Sequence, residues 1–203
     1  KKPTKDLVLI GPAIGLNSYD KLMIGAFVTN MKLPPPSFQF LLAPMYATGS
    51  KKMTGLGFAS YSFYPNKLFK SIDIGVSGSV FTADQFIDDD GNKTSLGFTK
   101  IVPGIKLAFK EKNPRSNFNR FIQFKSFLIN EEGLRFYRDT VITLPGPDTA
   151  ISTKYRTISE SRTLNQLRLV IENNRVLYPY SGELKIEQGE DFVRAAFTAN
   201  YFF

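Results

Sequence analysis

The first third of the chain keeps its charges apart. No charged residue lies between Asp6 and Asp20, between Lys21 and Lys32, between Lys32 and Lys51, or between Lys52 and Lys67. The stretches so delimited approach the ~9–11 residues that a tilted strand needs to cross a bilayer. A soluble sheet would carry Lys or Glu along its wet face, and here neither face does. Inside the stretches the hydrophobic period is two. Ile72, Ile74, Val76 and Val80 share one face, and Asp73, Gly75, Ser77 and Ser79 the other. Over Met53 to Tyr64 one face holds Leu56, Phe58 and Tyr64, interrupted by Ser60 and Ser62. The other holds Met53, Gly55, Gly57, Ala59, Tyr61 and Phe63. Near the end Val193, Ala195, Phe197, Ala199, Tyr201 and Phe203 alternate with a mixed set that includes Arg194 and Asn200. This is strand alternation with an apolar face and a small or polar face.

Turn chemistry falls between the runs: Asn17-Ser18-Tyr19-Asp20, Pro34-Pro35-Pro36, Gly49-Ser50, Tyr64-Pro65-Asn66, Asp90-Gly91-Asn92, Asn113-Pro114, Pro145-Gly146-Pro147-Asp148, Asn173-Asn174 and Gly189-Glu190. The punctuation predicts about ten strands, at 7–18, 21–32, 37–49, 52–64, 69–83, 94–111, 119–144, 149–173, 178–189 and 192–203. No useful 3.6-residue period appears. The expected fold is all-β, an up-and-down antiparallel transmembrane β-barrel, whole or part of a larger one. Residues 1–6 would be a linker and 7–203 the barrel domain. The two runs flanking Pro-Gly-Pro-Asp are too long for a bilayer, and their outer parts are charged. They predict a hairpin projecting into water at about 130–162.

Composition narrows the chemistry. The 203 residues include no Cys and no His. Disulfides, thiolate nucleophiles, imidazole-based triads and imidazole zinc sites are therefore excluded within this sequence. No catalytic residue and no cofactor is predicted. Nor is any apolar run long enough for a transmembrane helix. The opening Lys1-Lys2-Pro3-Thr4-Lys5 has neither an initiator Met nor a signal peptide, so the chain is expected to be a mature or truncated product or a piece of something longer. The formal charge of +8 suits nucleic acid, an anionic membrane surface or plain solubility. Basic residues are scattered rather than gathered in a stripe, which argues against nucleic acid.

Tyr19, Tyr46, Tyr61, Phe63, Tyr64, Tyr178, Tyr180, Tyr201 and Phe203 stand near strand ends, as interfacial girdles do. By alternation against the apolar face, Asp73, Lys100, Lys106, Gln123, Lys125, Arg168, Arg194 and Asn200 are assigned to a lumen. There they would either plug a small barrel with paired charges or line an anion-favouring channel. Asp88, Asp89 and Asp90, followed by Gly91, form a weak metal candidate. The calcium-loop pattern fails, because position 86 is Phe and position 97 is Gly, and a solvated loop is the expected reading. Other carboxylates (Glu131, Glu132, Glu160, Glu187, Glu190, Asp191) have no spacing that defines a catalytic pair. Gly55-Leu56-Gly57 precedes no helix and is no nucleotide loop, and Asn92-Lys93-Thr94 matches a glycosylation acceptor only at chance level.

Gly11-Pro12-Ala13-Ile14-Gly15-Leu16-Asn17-Ser18-Tyr19-Asp20-Lys21-Leu22-Met23 resembles the opening hairpin of a barrel region in Bacteroidetes proteins. Leu41 to Lys52, Thr54 to Gly57 and Tyr61 to Pro65 are similar to its next strands. That region follows gluzincin-type metallopeptidase domains resembling aminopeptidase N. The resemblance covers about residues 7–80 and is only architectural beyond. It implies an outer-membrane barrel that anchors, or serves as platform for, a peptidase domain or partner lying outside this sequence. The family's zinc motif needs His, so no catalytic residue carries over. The expected partners are the lipid bilayer and that domain. A small porin-like channel with a basic lumen and a soluble ligand-binding β-barrel are the alternative expectations.

Overall fold

A computed structural model describes residues 7–202 apart from 66, 89, 112, 114 and 143–148, with 139–142 and 149–153 described as backbone. Linker residues 1–6, the Pro-Gly-Pro-Asp turn, Asp89 and Phe203 lie outside the described residues. The chain is all-β. Ten strands follow one another: β1 (Leu9–Asn17), β2 (Lys21–Thr29), β3 (Phe38–Ala47), β4 (Met53–Phe63), β5 (Phe69–Ile87), β6 (Lys93–Phe109), β7 (Phe118–Ile142), β8 (Thr149–Asn173), β9 (Tyr180–Gln188) and β10 (Val193–Tyr201). They form one antiparallel up-and-down sheet in sequence order. The ten expected runs reappear with shifts of a few residues. β5 is extended most, to Ile87, beside the start of β6. Among the described residues β1 and β10 each pair on one side only, so the ladders do not close.

Register assigns every strand residue to one of two faces. One face carries Ile10, Ile14 and Leu16 on β1, with Leu22, Ile24 and Val28 opposite them on β2. It continues through Leu42 and Tyr46, Tyr61 and Phe63, then Ile74, Val76 and Val80. Ile101 and Ile105 follow on β6 and Phe124 and Leu128 on β7. Leu167 and Leu169, Leu184 and Ile186, and Phe197 and Tyr201 complete it. Many of these side chains are exposed, Ile14 at 72% and Phe197 at 74%. This is the outer face.

The inner face is concave. Met23, Met45 and Ala47 form its buried core, with Ala13 and Phe81 packed against them. Phe81 belongs to β5, so the sheet curls until its fifth strand meets the first three. Small residues permit the curl: a Cβ on Gly25 would stand 2.0 Å from the Pro44 carbonyl oxygen. Two strand prolines interrupt the pairing because they lack an N–H. The β2–β3 ladder lapses between Gly25↔Met45 and Val28↔Leu42, at Pro44. The β6–β7 ladder lapses between Ile101↔Leu128 and Gly104↔Lys125, at Pro103.

Connections alternate between two ends. The upper end holds the turns after β1, β3, β5, β7 and β9, and the lower end those after β2, β4, β6 and β8. At the upper end β7 and β8 run on as a two-stranded ribbon. Beyond Phe98↔Glu131 and Asn165↔Gln188 no other strand among the described residues pairs with them, yet their mutual pairing continues to Ile142↔Thr149. The ribbon thus occupies the stretch expected to be a projecting hairpin.

Candidate functional site

The polar groups gather on the inner face of β5 to β10. Register places Asp73, Lys106, Gln123, Arg168 and Lys185 on one continuous rung. A second rung carries Lys125, Gln166, Glu187 and Arg194. Lys100 lies opposite Ser79 and Ile129, and Asn200 opposite Ser181. All eight residues assigned to a lumen therefore share one face. The structure brings four of them onto a single rung, two onto another, and leaves Lys100 and Asn200 apart.

These groups are joined into two clusters. Arg168 grips Glu183 with two parallel bonds, Nε to Oε1 and Nη2 to Oε2, each 2.8 Å. This fork-on-carboxylate geometry is the strong form of the ion pair. Its Nη1 donates to Gln123 Oε1 at 3.4 Å. Glu187 is buried. It accepts from Gln166 Nε2 at 2.9 Å and from Arg194 Nε at 2.8 Å, with Arg194 Nη2 also bonded and Lys185 Nζ at 3.5 Å. Three lysines stand outside the clusters. Lys106 sits 4.2 Å above the Phe121 ring. Among the described residues no acid forms an ion pair with Lys100, Lys106 or Lys125. A cavity of about 240 Å³ opens between Asp73, Lys106, Gln123, Lys125, Ser60 and Ser77. Its cationic groups can hold or pass an anion.

Sequence reasoning missed Gln166, Glu183 and Lys185, and it took Glu187 for a surface carboxylate, whereas Glu187 is buried. The signal was there: Ser181, Glu183, Lys185 and Glu187 alternate with Gly182, Leu184 and Ile186 as cleanly as any assigned strand. Asp20 was missed for a different reason. It read as turn punctuation, but it is fully buried. Its Oδ2 accepts from Asn17 Nδ2 at 2.8 Å and from the Thr82 N–H at 2.9 Å, and the Ser50 hydroxyl donates to Oδ1. The Thr82 N–H is available because β5 shifts register between Thr82 and Asp84. Burial pushes the Asp20 carboxyl up, but the bonds from Ser50, Thr82 and Asn17 together hold it below its ordinary value. No local pattern announces partners 30 and 62 residues away.

Asp88 closes its own turn. It accepts from the Asn92 N–H at 2.6 Å, Asn92 Nδ2 at 3.0 Å and Tyr155 Oη at 3.1 Å. The Asn92 side chain and backbone bonds hold its carboxyl below the ordinary range. Asp90 is exposed, and no metal-holding group of acids exists among the described residues.

Aromatic residues mark the lower end of the sheet. Phe38 and Phe40, Tyr61 and Phe63, Phe69 and Phe109, and Tyr178 and Tyr201 form ring pairs with centroids 4.6 to 6.4 Å apart. Arg120 lies over Phe109 and Phe118, and Arg175 over Tyr180. Tyr46 and Tyr19 stand at the upper end. On the outer face, a concavity of about 640 Å³ lies over Gly57 and Gly78, walled by Leu42, Val80 and Ile101. In comparisons with family models, curated proteins and solved structures, nothing matches this chain.

Proposed function

We propose that this chain is a transmembrane β-barrel domain of a bacterial outer membrane, a whole barrel or a part of one. Its role is to anchor, or serve as platform for, a peptidase domain or partner. One observation carries the reading. From β1 to β10 the outer face exposes a continuous apolar surface, and between the rim residues no charged side chain falls on it. Water would penalise such a surface at ~25 cal/mol per Å² of apolar area, whereas lipid would not. Further features support the reading. β1 and β10 run antiparallel, so pairing between them would close an even-stranded barrel with one outer face. Closure is what a bilayer demands, since an open edge leaves unsatisfied N–H and C=O groups in hydrocarbon. Tyr and Phe rings with overlying Arg at the lower end suit a lipid–water boundary. The peptidase association rests on the likeness of residues 7–80 alone.

The test is heat-modifiability. Extracted in mild detergent, the chain is expected to migrate differently on denaturing gels before and after boiling, with β circular dichroism lost only on boiling. A chain that is soluble without detergent and shows no mobility shift overturns the reading. Lys100, Lys106 and Lys125, with which no acid among the described residues pairs, favour a second reading, a small anion-selective pore. Anion-selective conductance steps in planar bilayers that weaken in Lys106→Gln and Lys125→Gln would establish it. A silent bilayer leaves the anchor.

A further inference from the structure

The ribbon of β7 and β8 has two unlike faces. Phe136 and Tyr155, directly opposite each other, turn toward the β5–β6 hairpin, where Phe86 meets them at 5.6 and 4.8 Å. Tyr155 Oη also bonds Asp88 at the tip of that hairpin. By strand alternation the other face carries Arg135 opposite Arg156 and, on the next rung in hydrogen-bond sequence, Tyr137 opposite Lys154. All four are exposed.

Opposed like charges destabilise a strand pair, and here they occur where only one strand neighbours each arginine. Elsewhere on this face the chain neutralises its arginines: Arg162 pairs with Glu131, Arg168 with Glu183 and Arg194 with Glu187. Among the described residues Arg135 and Arg156 meet no acid. The aromatic brace holds this repulsive rung in place.

We propose that Arg135 and Arg156 form a clamp for a phosphomonoester group. Side chains opposite each other on paired strands start ~4.5–5.5 Å apart, so two guanidinium forks can converge on one anion. A carboxylate has two oxygens and is filled by one fork. A phosphomonoester has three terminal oxygens and about two negative charges, and serves both forks. Tyr137 and Lys154 form the next rung on the same face. The phosphate can come from a lipid headgroup or from a soluble molecule. The clamp does not rest on the membrane reading, and failure of the heat-modifiability test leaves it intact.

The experiment titrates the full chain in detergent with inorganic pyrophosphate and with dihexanoyl phosphatidic acid, using dihexanoyl phosphatidylcholine as control. Saturable binding is expected, weakened about tenfold by Arg135→Gln or by Arg156→Gln and lost in the double variant. Arg138→Gln, on the alternate face, should bind as the parent does. Binding of phosphatidic acid alone assigns the lipid source, binding of pyrophosphate alone assigns a soluble one, and binding of both assigns a clamp that reads the phosphate group whatever carries it. In parallel, bound pyrophosphate or phosphatidic acid should slow tryptic cleavage after Arg135 and Arg156 in the unsubstituted chain, but not after Arg175. This second readout holds even if a variant fails to fold. Absence of saturable binding and tryptic protection, or binding that survives the double substitution in a folded chain, overturns the clamp.

Discussion

On the inner face, β1 to β3 place Gly11, Ala13, Gly15, Met23, Gly25, Met45 and Ala47, whereas β8 to β10 place Gln166, Arg168, Glu183, Lys185, Glu187 and Arg194. The outer faces of the two regions are alike. The difference in filling goes with a difference in burial. Small side chains let the β2 and β3 backbones close together, and the core forms from residues of β1, β2, β3 and β5. Long ion-paired side chains need room, and the last strand is exposed on both faces apart from Ala196. The first region is held by burial and by one buried carboxylate. The second is held by ladders and by ion pairs whose arginines salt can reach, although the acid of one of them, Glu187, is buried.

The sharpest challenge to this comparison is a charge moved between faces. Ile74→Arg, on the outer face, is expected to cost about 2–4 kcal/mol if that face meets lipid. Thr198→Arg, on the inner face, should cost little. Urea titration of the vesicle-inserted chain measures both. Equal, small costs would sink the membrane reading.

Glycine substitutions test the curvature. Gly25→Ala would set a Cβ against backbone, with Pro44 O at 2.0 Å and Met45 Cα at 2.7 Å. The strands must separate, at a cost of about 1–3 kcal/mol. At Gly182 an added Cβ meets nothing within 4 Å. Gly182→Ala should therefore raise stability by up to about 1 kcal/mol, since Gly weakens a strand interior. Denaturant midpoints of the two variants should move in opposite directions.

Asp20→Ala should cost about 1–3 kcal/mol, because the Thr82 N–H, Asn17 and Ser50 lose their acceptor in a buried setting. The folded carboxyl lies below its unfolded value. Its contribution is therefore in place above about pH 3.9, the unfolded value, and is lost as pH falls through the folded value. Stability against pH should show this acid loss in the parent and not in Asp20→Asn. The step should persist in high salt, while the charged region weakens.

The smallest effect falls in the turns. Lys51 adopts φ of 56°, a left-handed conformation that disfavours side chains bearing Cβ. Lys51→Gly should gain roughly 0.5–1 kcal/mol, seen as a higher urea midpoint. No gain would mean that Lys51 makes a compensating contact.

All ten strands and their order were legible in the amino-acid pattern, and so were the two faces of β5 and β10, whereas on β4 the outer face is that of Tyr61 and Phe63 rather than of Leu56 and Phe58. Alternation and turn chemistry are local, and an up-and-down meander pairs each strand with its sequence neighbour. For the same reason the shared face of the eight polar residues followed from period two, once each strand was placed against the next. What only the tertiary structure decided was non-local. The lapses at Pro44 and Pro103, the curl that brings Phe81 onto Met23 and Met45, and the burial of Asp20 under Ser50 and Thr82 depend on how far the sheet bends. So does the packing of Phe86 against Phe136 and Tyr155, whose strand alternation leaves Arg135 and Arg156 on the other face. Curvature arises from summed twist and from the volumes of side chains meeting across the concave face, and no window of neighbouring residues contains that information.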